Sequence, residues 1–219
     1  MPSRDLRFGE FWTEQYKVGV TQNSTTRSGS NVRAEGRSAL RFEQHGPDGL
    51  KASVTAASEL RYQEKKPTIE LGGDLGSVLN WIRTEVIDDV NAFNGQVTIE
   101  GGQEPRAWSF SLTQPDQTSR NKPEVGLLNG PAGQAWHVLA LHAPLDRPID
   151  PRMPTMAMPR AHLGVEVKDE QGPVAALLKC RLREEVWIHE RVDAEQRLVL
   201  ASLFSAMLGR QPLGMPGNL

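Results

Sequence analysis

A small group of side chains has the types and spacing for metal-dependent hydrolysis. Glu166 and Lys168 lie two positions apart in a predicted strand, with Asp150 or Asp116 upstream. Residues two apart on a strand share a face, so Glu166 and Lys168 would project together. Two carboxylates can hold a magnesium ion while a lysine polarises the attacking water, as in metal-dependent nucleases. The same alternation is also typical of the solvated face of an amphipathic strand, and we favour that interpretation.

Other catalytic arrangements find no support in the residue spacing. The chain has five histidines but no His-x-His or Cys-x-x-Cys pair, and its one cysteine, Cys180, lies at an apolar strand position. It also lacks the Gly-x-Ser-x-Gly turn of a serine nucleophile. The sequence therefore predicts no metal site and no cofactor, and it favours a protein that is not an enzyme.

Two segments are candidates for binding a partner. Residues 22–38 are rich in Ser, Thr, Asn, Gly and Arg, which predicts a long exposed loop or flexible arm carrying Arg27, Arg33 and Arg37. These arginines could grip phosphates, but the segment has no aromatic residue on which a base could stack. We therefore favour a protein partner over nucleic acid.

A second candidate segment, residues 144–160, is rich in proline and methionine. Its prolines exclude a regular helix and predict an extended strap. Met153, Met156 and Met158 suit an apolar groove of this chain or of a neighbour. The strap separates a β-rich region, 1–143, from a unit of three antiparallel strands and a helix, 161–219, and we expect both to share one core.

The elements between these segments predict an α+β fold made mostly of antiparallel sheet. Short alternating runs such as 39–45 and 50–56 flank turn signals, which favours antiparallel pairing. Ser77 as an N-cap and apolar residues at helical spacing predict an amphipathic helix over 77–93. Asp193 caps a second helix, 194–208, which is apolar on most sides and is therefore expected to be buried.

Trp187 stands out in the last predicted strand. It has the opposite parity to Val186 and Ile188, so it would lie on the other face of the sheet, where another chain could cover it.

An antiparallel β chain that ends in a very apolar helix is similar to the tubby-like and scramblase-type barrels, in which such a helix threads the barrel. The resemblance rests on the pattern of elements after residue 160, so no site residues are carried over.

Composition sets the remaining expectations. The chain has 219 residues, a net charge of -2 and 38% hydrophobic residues, which is typical of a globular protein with no bulk attraction to nucleic acid. With one cysteine and no secretory signal or membrane-spanning run, we expect a cytoplasmic location.

The first functional hypothesis is a non-catalytic protein-binding or assembly subunit of a cytoplasmic complex, with partner binding or self-association. The alternatives are the metal-dependent nuclease and a barrel that binds a lipid or small ligand, which needs a cavity that the terminal helix does not fill.

Overall fold

The computed structural model describes residues 6–28, 31–65, 85–101, 106–113, 124–131, 133–142, 162–180, 183–210 and 213. Over these ranges the chain forms twelve β-strands and one α-helix, α1, Ala194–Gly209. The strands are β1 Arg7–Phe8, β2 Phe11–Val18, β3 Gln22–Ser28, β4 Asn31–His45, β5 Lys51–Lys65, β6 Glu85–Glu100, β7 Arg106–Thr113, β8 Glu124–Asn129, β9 Ala135–His142, β10 His162–Asp169, β11 Gly172–Cys180 and β12 Arg183–Ile188.

All twelve strands belong to one antiparallel sheet that curls into a nearly closed, barrel-like wall. The strand order is β1-β2-β4-β5-β6-β7-β8-β9-β10-β11-β12, so almost every strand pairs with its neighbour in sequence. The strand β4 is long enough to pair with two strands along one edge: β3 covers its first half and β2 its second half. The strands before residue 143 and those after residue 161 belong to the same sheet, because β9 pairs with β10.

The helix α1 lies inside this wall and forms the centre of the hydrophobic core. Every residue from Leu198 to Ala206 is buried, whichever side of the helix it occupies. A helix can be apolar all round only where it is surrounded by protein or lipid, and here strands such as β2, β4, β5, β6 and β12 surround it. At its start, the Asp193 side chain accepts the backbone N–H of Gln196 at 2.8 Å, and the Gln196 side chain accepts the N–H of Asp193, which completes a capping box. Among the described residues, no helix combines the length and apolar character needed to cross a membrane.

The α+β fold class with a central helix over 77–93 is wrong. Residues 85–93 lie in β6, which pairs along its length with β5 and in its second half with β7, and residues 77–84 lie outside the described ranges. The apolar residues of this segment fit a helical period, but several are β-branched and suit a strand. Gly95 is a strand residue just beyond this segment, and a Cβ there would overlap the Phe110 ring. The helix predicted at 194–208 is present as α1.

The interpretation of residues 22–38 as a loop or arm is also wrong. This segment forms β3 and the first half of β4, paired from Gln22↔Arg37 to Ser28↔Asn31. Every residue of β3 is exposed, so no hydrophobic alternation marks it as a strand. Its backbone hydrogen bonds to β4 define the element instead.

A half-buried arginine closes the far end of α1. Arg210 donates from Nε to the Ser58 hydroxyl at 3.1 Å and from Nη2 to the Asn91 side-chain oxygen at 2.7 Å. Its guanidinium also lies 5.2 Å from the centre of the Phe93 ring, in cation–π contact. Burial lowers the pKa of Arg210 from its ordinary value, yet an arginine stays charged at physiological pH. Arg210 therefore ties the end of the helix to β5 and β6.

An ion pair holds the turn between β10 and β11. Arg191 donates from Nη2 to Asp169 at 2.8 Å, and the Gln171 backbone N–H donates to the same carboxylate oxygen at 2.8 Å. Burial raises the pKa of Asp169, but Arg191 and the backbone donors outweigh it, so the pKa lies below its ordinary value. The stability from this carboxylate is therefore present above the unfolded pKa of about 3.9 and is lost as the pH falls through the folded value.

We expect Asp169→Asn to destabilise the protein at pH 7 and to have a smaller effect at pH 3, because the stability from this carboxylate is lost as the pH falls from the unfolded pKa through the lower folded pKa. Urea unfolding at both pH values measures the difference. Arg191→Gln is the matched variant, and its effect should shrink over the same interval because the pair exists only while Asp169 is ionised. An unchanged Asp169→Asn effect at pH 3 would show that the carboxylate charge is not what stabilises the turn.

Candidate functional site

The open edge of β12 is the first candidate site, and we call it the β12 edge (Arg183–Ile188). This strand ends the order of the sheet and, within the described ranges, it pairs with β11 alone. Its Trp187 side chain is 48% exposed and contacts His189 edge to face, with ring centres 5.5 Å apart. Val186 and Ile188 point the other way and pack against the core. Trp187 therefore presents a large apolar ring to solvent beside an available strand edge.

The three arginines that were proposed to bind a partner lie on two paired strands. Arg27 lies on the exposed strand β3, and Arg33 and Arg37 lie on exposed positions of β4. Arg33 donates from Nε to Glu35 at 2.9 Å, and Arg37 lies 3.6 Å from Glu59. Two of the three arginines thus already lie beside carboxylates of this chain, which weakens the case that they bind phosphate groups.

The predicted nuclease residues are only partly described. Glu166 and Lys168 lie on the outer face of β10 and form an ion pair with each other at 2.9 Å. This geometry fits the solvated face of an amphipathic strand. Asp150 and Asp116 lie outside the described residues, so the convergence that metal catalysis requires stays a prediction. Met153, Met156 and Met158 of the predicted strap lie outside them as well.

A second candidate site comes from residues that the sequence did not bring together. Trp12 and Glu14 on β2 lie directly opposite His45 and Glu43 on β4, in the register Trp12↔His45 and Glu14↔Glu43. Residues two apart on paired strands share one face, so all four side chains meet on the outside of the sheet. We call these four residues the Glu–His cluster.

The buried member of the Glu–His cluster is His45. The residue is only 6% exposed, and the Trp12 ring stacks on the imidazole with centres 5.1 Å apart and planes 13° apart. The imidazole Nε2 is buried and has no hydrogen-bond partner. It lies 3.3 Å from the Glu14 Oε2 and 3.9 Å from the Glu43 Oε2. The ligand atoms of these three residues all lie within 4.8 Å of one another, which is a suitable spacing for a metal ion.

A buried amide fixes the backbone behind this cluster. The Gln44 side chain donates from Nε2 to the Trp12 carbonyl at 3.1 Å and to the His45 carbonyl at 3.4 Å. Its Oε1 accepts a hydrogen bond from the Ser205 hydroxyl of α1 at 2.7 Å. The central helix therefore helps to position the two strands that carry the cluster.

The sequence singled out no metal ligands, and this candidate set is one that only strand pairing assembles. One signal was available in the sequence: Glu43-Gln44-His45 places a carboxylate and an imidazole on one face of a strand. Glu14 could not be added without knowing how β2 pairs with β4.

The interior of the sheet bears on the ligand-binding alternative. Leu198, Leu203 and Phe204 of α1 have no exposed surface and occupy the centre of the wall, where a ligand would otherwise lie. Among the described residues, the helix thus fills the space between its neighbouring strands, and the ligand-binding barrel stays a prediction. Comparison of the chain with models of protein families, with curated proteins and with solved structures found no match.

Proposed function

We propose that this chain is a non-catalytic protein-binding subunit, and that it receives an extended segment of its partner along the β12 edge. The exposure of Trp187 beside an available strand edge is the observation that carries this proposal. Tryptophan is enriched among the residues that contribute most to protein interfaces. The cytoplasmic location predicted from the sequence stays a prediction.

Backbone geometry shows which groups an added strand would meet. The His189 N–H donates to the Val174 carbonyl across the β11–β12 pair. Donors alternate along an antiparallel strand, so Glu184, Val186 and Ile188 direct their N–H and C=O groups away from β11. An extended partner segment could therefore pair with β12 by β-strand addition, which draws affinity from main-chain hydrogen bonds.

The side chains beside the edge indicate the character of the partner. Trp187 lies opposite Ala176, and Glu185 lies opposite Leu178 on the same outer face. Glu185 is an exposed carboxylate on this outer face, and Glu184, also exposed, lies beside it in the strand with its side chain on the opposite face. A segment with an apolar side chain over Trp187 and a basic residue near the glutamates would match both features.

Site-specific crosslinking in cells tests the proposal. A photoreactive phenylalanine analogue at Glu184 should form covalent adducts with one extended segment, which peptide sequencing identifies. The same analogue at Ser111, an exposed position on β7, is the matched control and should not capture that segment. An adduct with a second copy of this chain would identify the added strand as its own.

The captured segment is then measured as a synthetic peptide. Glu184→Pro removes one N–H from the available edge without breaking the β11 pairing, so affinity should fall by about five- to tenfold. Glu184→Ala keeps that N–H and is the matched control. Trp187→Ala should weaken binding by about thirtyfold, the usual effect of losing a central aromatic anchor. Equal affinity for the proline and alanine variants would show that no strand adds to this edge.

A further inference from the structure

We propose that Glu14, Glu43 and His45 form a binding site for a divalent transition-metal ion, with zinc as the best-fitting ion. The set offers one imidazole nitrogen and two carboxylate oxygens, which are ligand types that zinc accepts. Three protein ligands leave a fourth tetrahedral position for water. The proposal is independent of strand addition at the β12 edge.

The distances fit a metal ion with small side-chain adjustments. Zinc lies about 2.0–2.2 Å from nitrogen and oxygen ligands, so tetrahedral ligand atoms lie about 3.3–3.5 Å apart. The distance from the His45 Nε2 to the Glu14 Oε2, 3.3 Å, already lies in this range. The corresponding distance to Glu43, 3.9 Å, requires a shift of a few tenths of an ångström in a half-buried side chain.

The cluster contains one buried nitrogen without a hydrogen-bond partner and two carboxylates that face each other, and a bound cation would stabilise both features. A buried nitrogen without a hydrogen-bond partner is costly, and the His45 Nε2 is such a nitrogen. Glu14 and Glu43 are like charges directly opposite each other on paired strands, an arrangement that destabilises a sheet. One metal ion between them would ligate the nitrogen and neutralise the carboxylates together.

The surrounding residues hold the ligands in place. The Trp12 indole N–H lies 3.4 Å from the Glu14 Oε1, leaving Oε2 to face His45. Gln44 binds the backbone carbonyls of Trp12 and His45. In known metal sites, supporting contacts of this kind orient the side chains that bind the metal and strengthen the affinity of the site for the ion.

Calorimetric titration of the full chain with zinc, after removal of metals with a chelator, tests the proposal. We expect one ion per chain and a melting temperature that rises with zinc concentration, because binding to the folded state alone stabilises it. Cobalt, titrated separately, should give a visible absorption spectrum that reports nitrogen and oxygen ligation. Such readouts separate a metal site from a protonated histidine between two glutamates, which would respond to neither ion.

The variants His45→Gln, Glu14→Gln and Glu43→Gln should each weaken zinc binding by at least about tenfold, the effect seen even for residues that only support a metal ligand. The two glutamate side chains are partly exposed, so their variants should fold, and circular dichroism checks this. His137→Gln and Glu100→Gln, at exposed positions on other strands, are the matched controls and should bind zinc normally. Absence of a one-to-one zinc complex, or zinc binding that survives all three cluster substitutions, would overturn the proposal.

Discussion

Replacing Phe204 by alanine should lower the free energy of unfolding by about 3–5 kcal/mol, the usual cost of emptying a large aromatic site in a core. Phe204 has no exposed surface and lies in the middle of α1, which the sheet surrounds. Removing its ring leaves a cavity that the neighbouring strands can fill only if the curved wall moves inward. Urea or thermal unfolding, followed by circular dichroism, measures the loss.

Trp187→Ala is the matched control for this experiment, because it removes a still larger ring from a position that is 48% exposed. Its effect on unfolding should stay below about 1 kcal/mol, since surface substitutions rarely cost more. If the two variants were equally destabilised, α1 would not be the centre of the core. The comparison therefore tests the placement of the helix rather than the general sensitivity of the protein to lost aromatic rings.

The sequence predicted α1 because every signal for it is local. Asp193 is an N-cap, and the apolar residues that follow leave no polar face, which indicates burial on all sides. What surrounds the helix could not be read from those residues, since it depends on the pairing of strands far away in the chain.

The error over residues 85–93 has a different physical origin. Apolar residues in that segment fit a helical period by coincidence, while their pairing partners lie on β5, and from Ala92 onward also on β7. Tertiary pairing outweighs a weak local preference when a segment is hydrogen-bonded into a sheet. A single sequence does not reveal such partners.

The strands at 22–38 were hidden because their inward residues are small. Ala34, Gly36 and Ser38 are the buried positions in this half of β4, and none is a strong hydrophobe. A Cβ at Gly36 would lie 3.4 Å from the Leu213 Cβ, so the wall comes close to the chain beyond α1. Patterns based on large apolar residues therefore predict a loop where the structure has a strand.

The two candidate sites also differ in how far they can be predicted from neighbouring residues in the sequence. The outward position of Trp187 follows from strand parity alone, whereas the Glu–His cluster requires the register between β2 and β4. The sequence does not show which residue of β2 pairs with which residue of β4. A shift of one residue in this register would move every side chain of the strand to the other face of the sheet. A bulge after Glu14, where Gln15 has a φ of 52°, makes that register harder still to predict.

Gln44→Leu should destabilise the protein by about 2–4 kcal/mol: it leaves the buried Ser205 hydroxyl without its Gln44 acceptor, at about 1–3 kcal/mol, and removes the amide hydrogen bond to the Trp12 carbonyl, at about 1 kcal/mol. Gln44 has no exposed surface, so water cannot readily replace the amide. Leucine has a similar volume, so most of the effect should come from lost hydrogen bonds rather than from a cavity. Unfolding in urea measures the change.

A double-mutant cycle with Ser205→Ala isolates the contact between the helix and the wall. Ser205→Ala alone should cost about 1–2 kcal/mol, because it leaves the Gln44 Oε1 unsatisfied. The double variant removes both ends of this hydrogen bond, so its cost should be smaller than the sum of the single effects by about 1 kcal/mol or more. Additive effects would show that the 2.7 Å hydrogen bond between Ser205 and Gln44 contributes little to the attachment of α1. The buried amide would then act mainly on the backbone of β2 and β4, where it supports the Glu–His cluster.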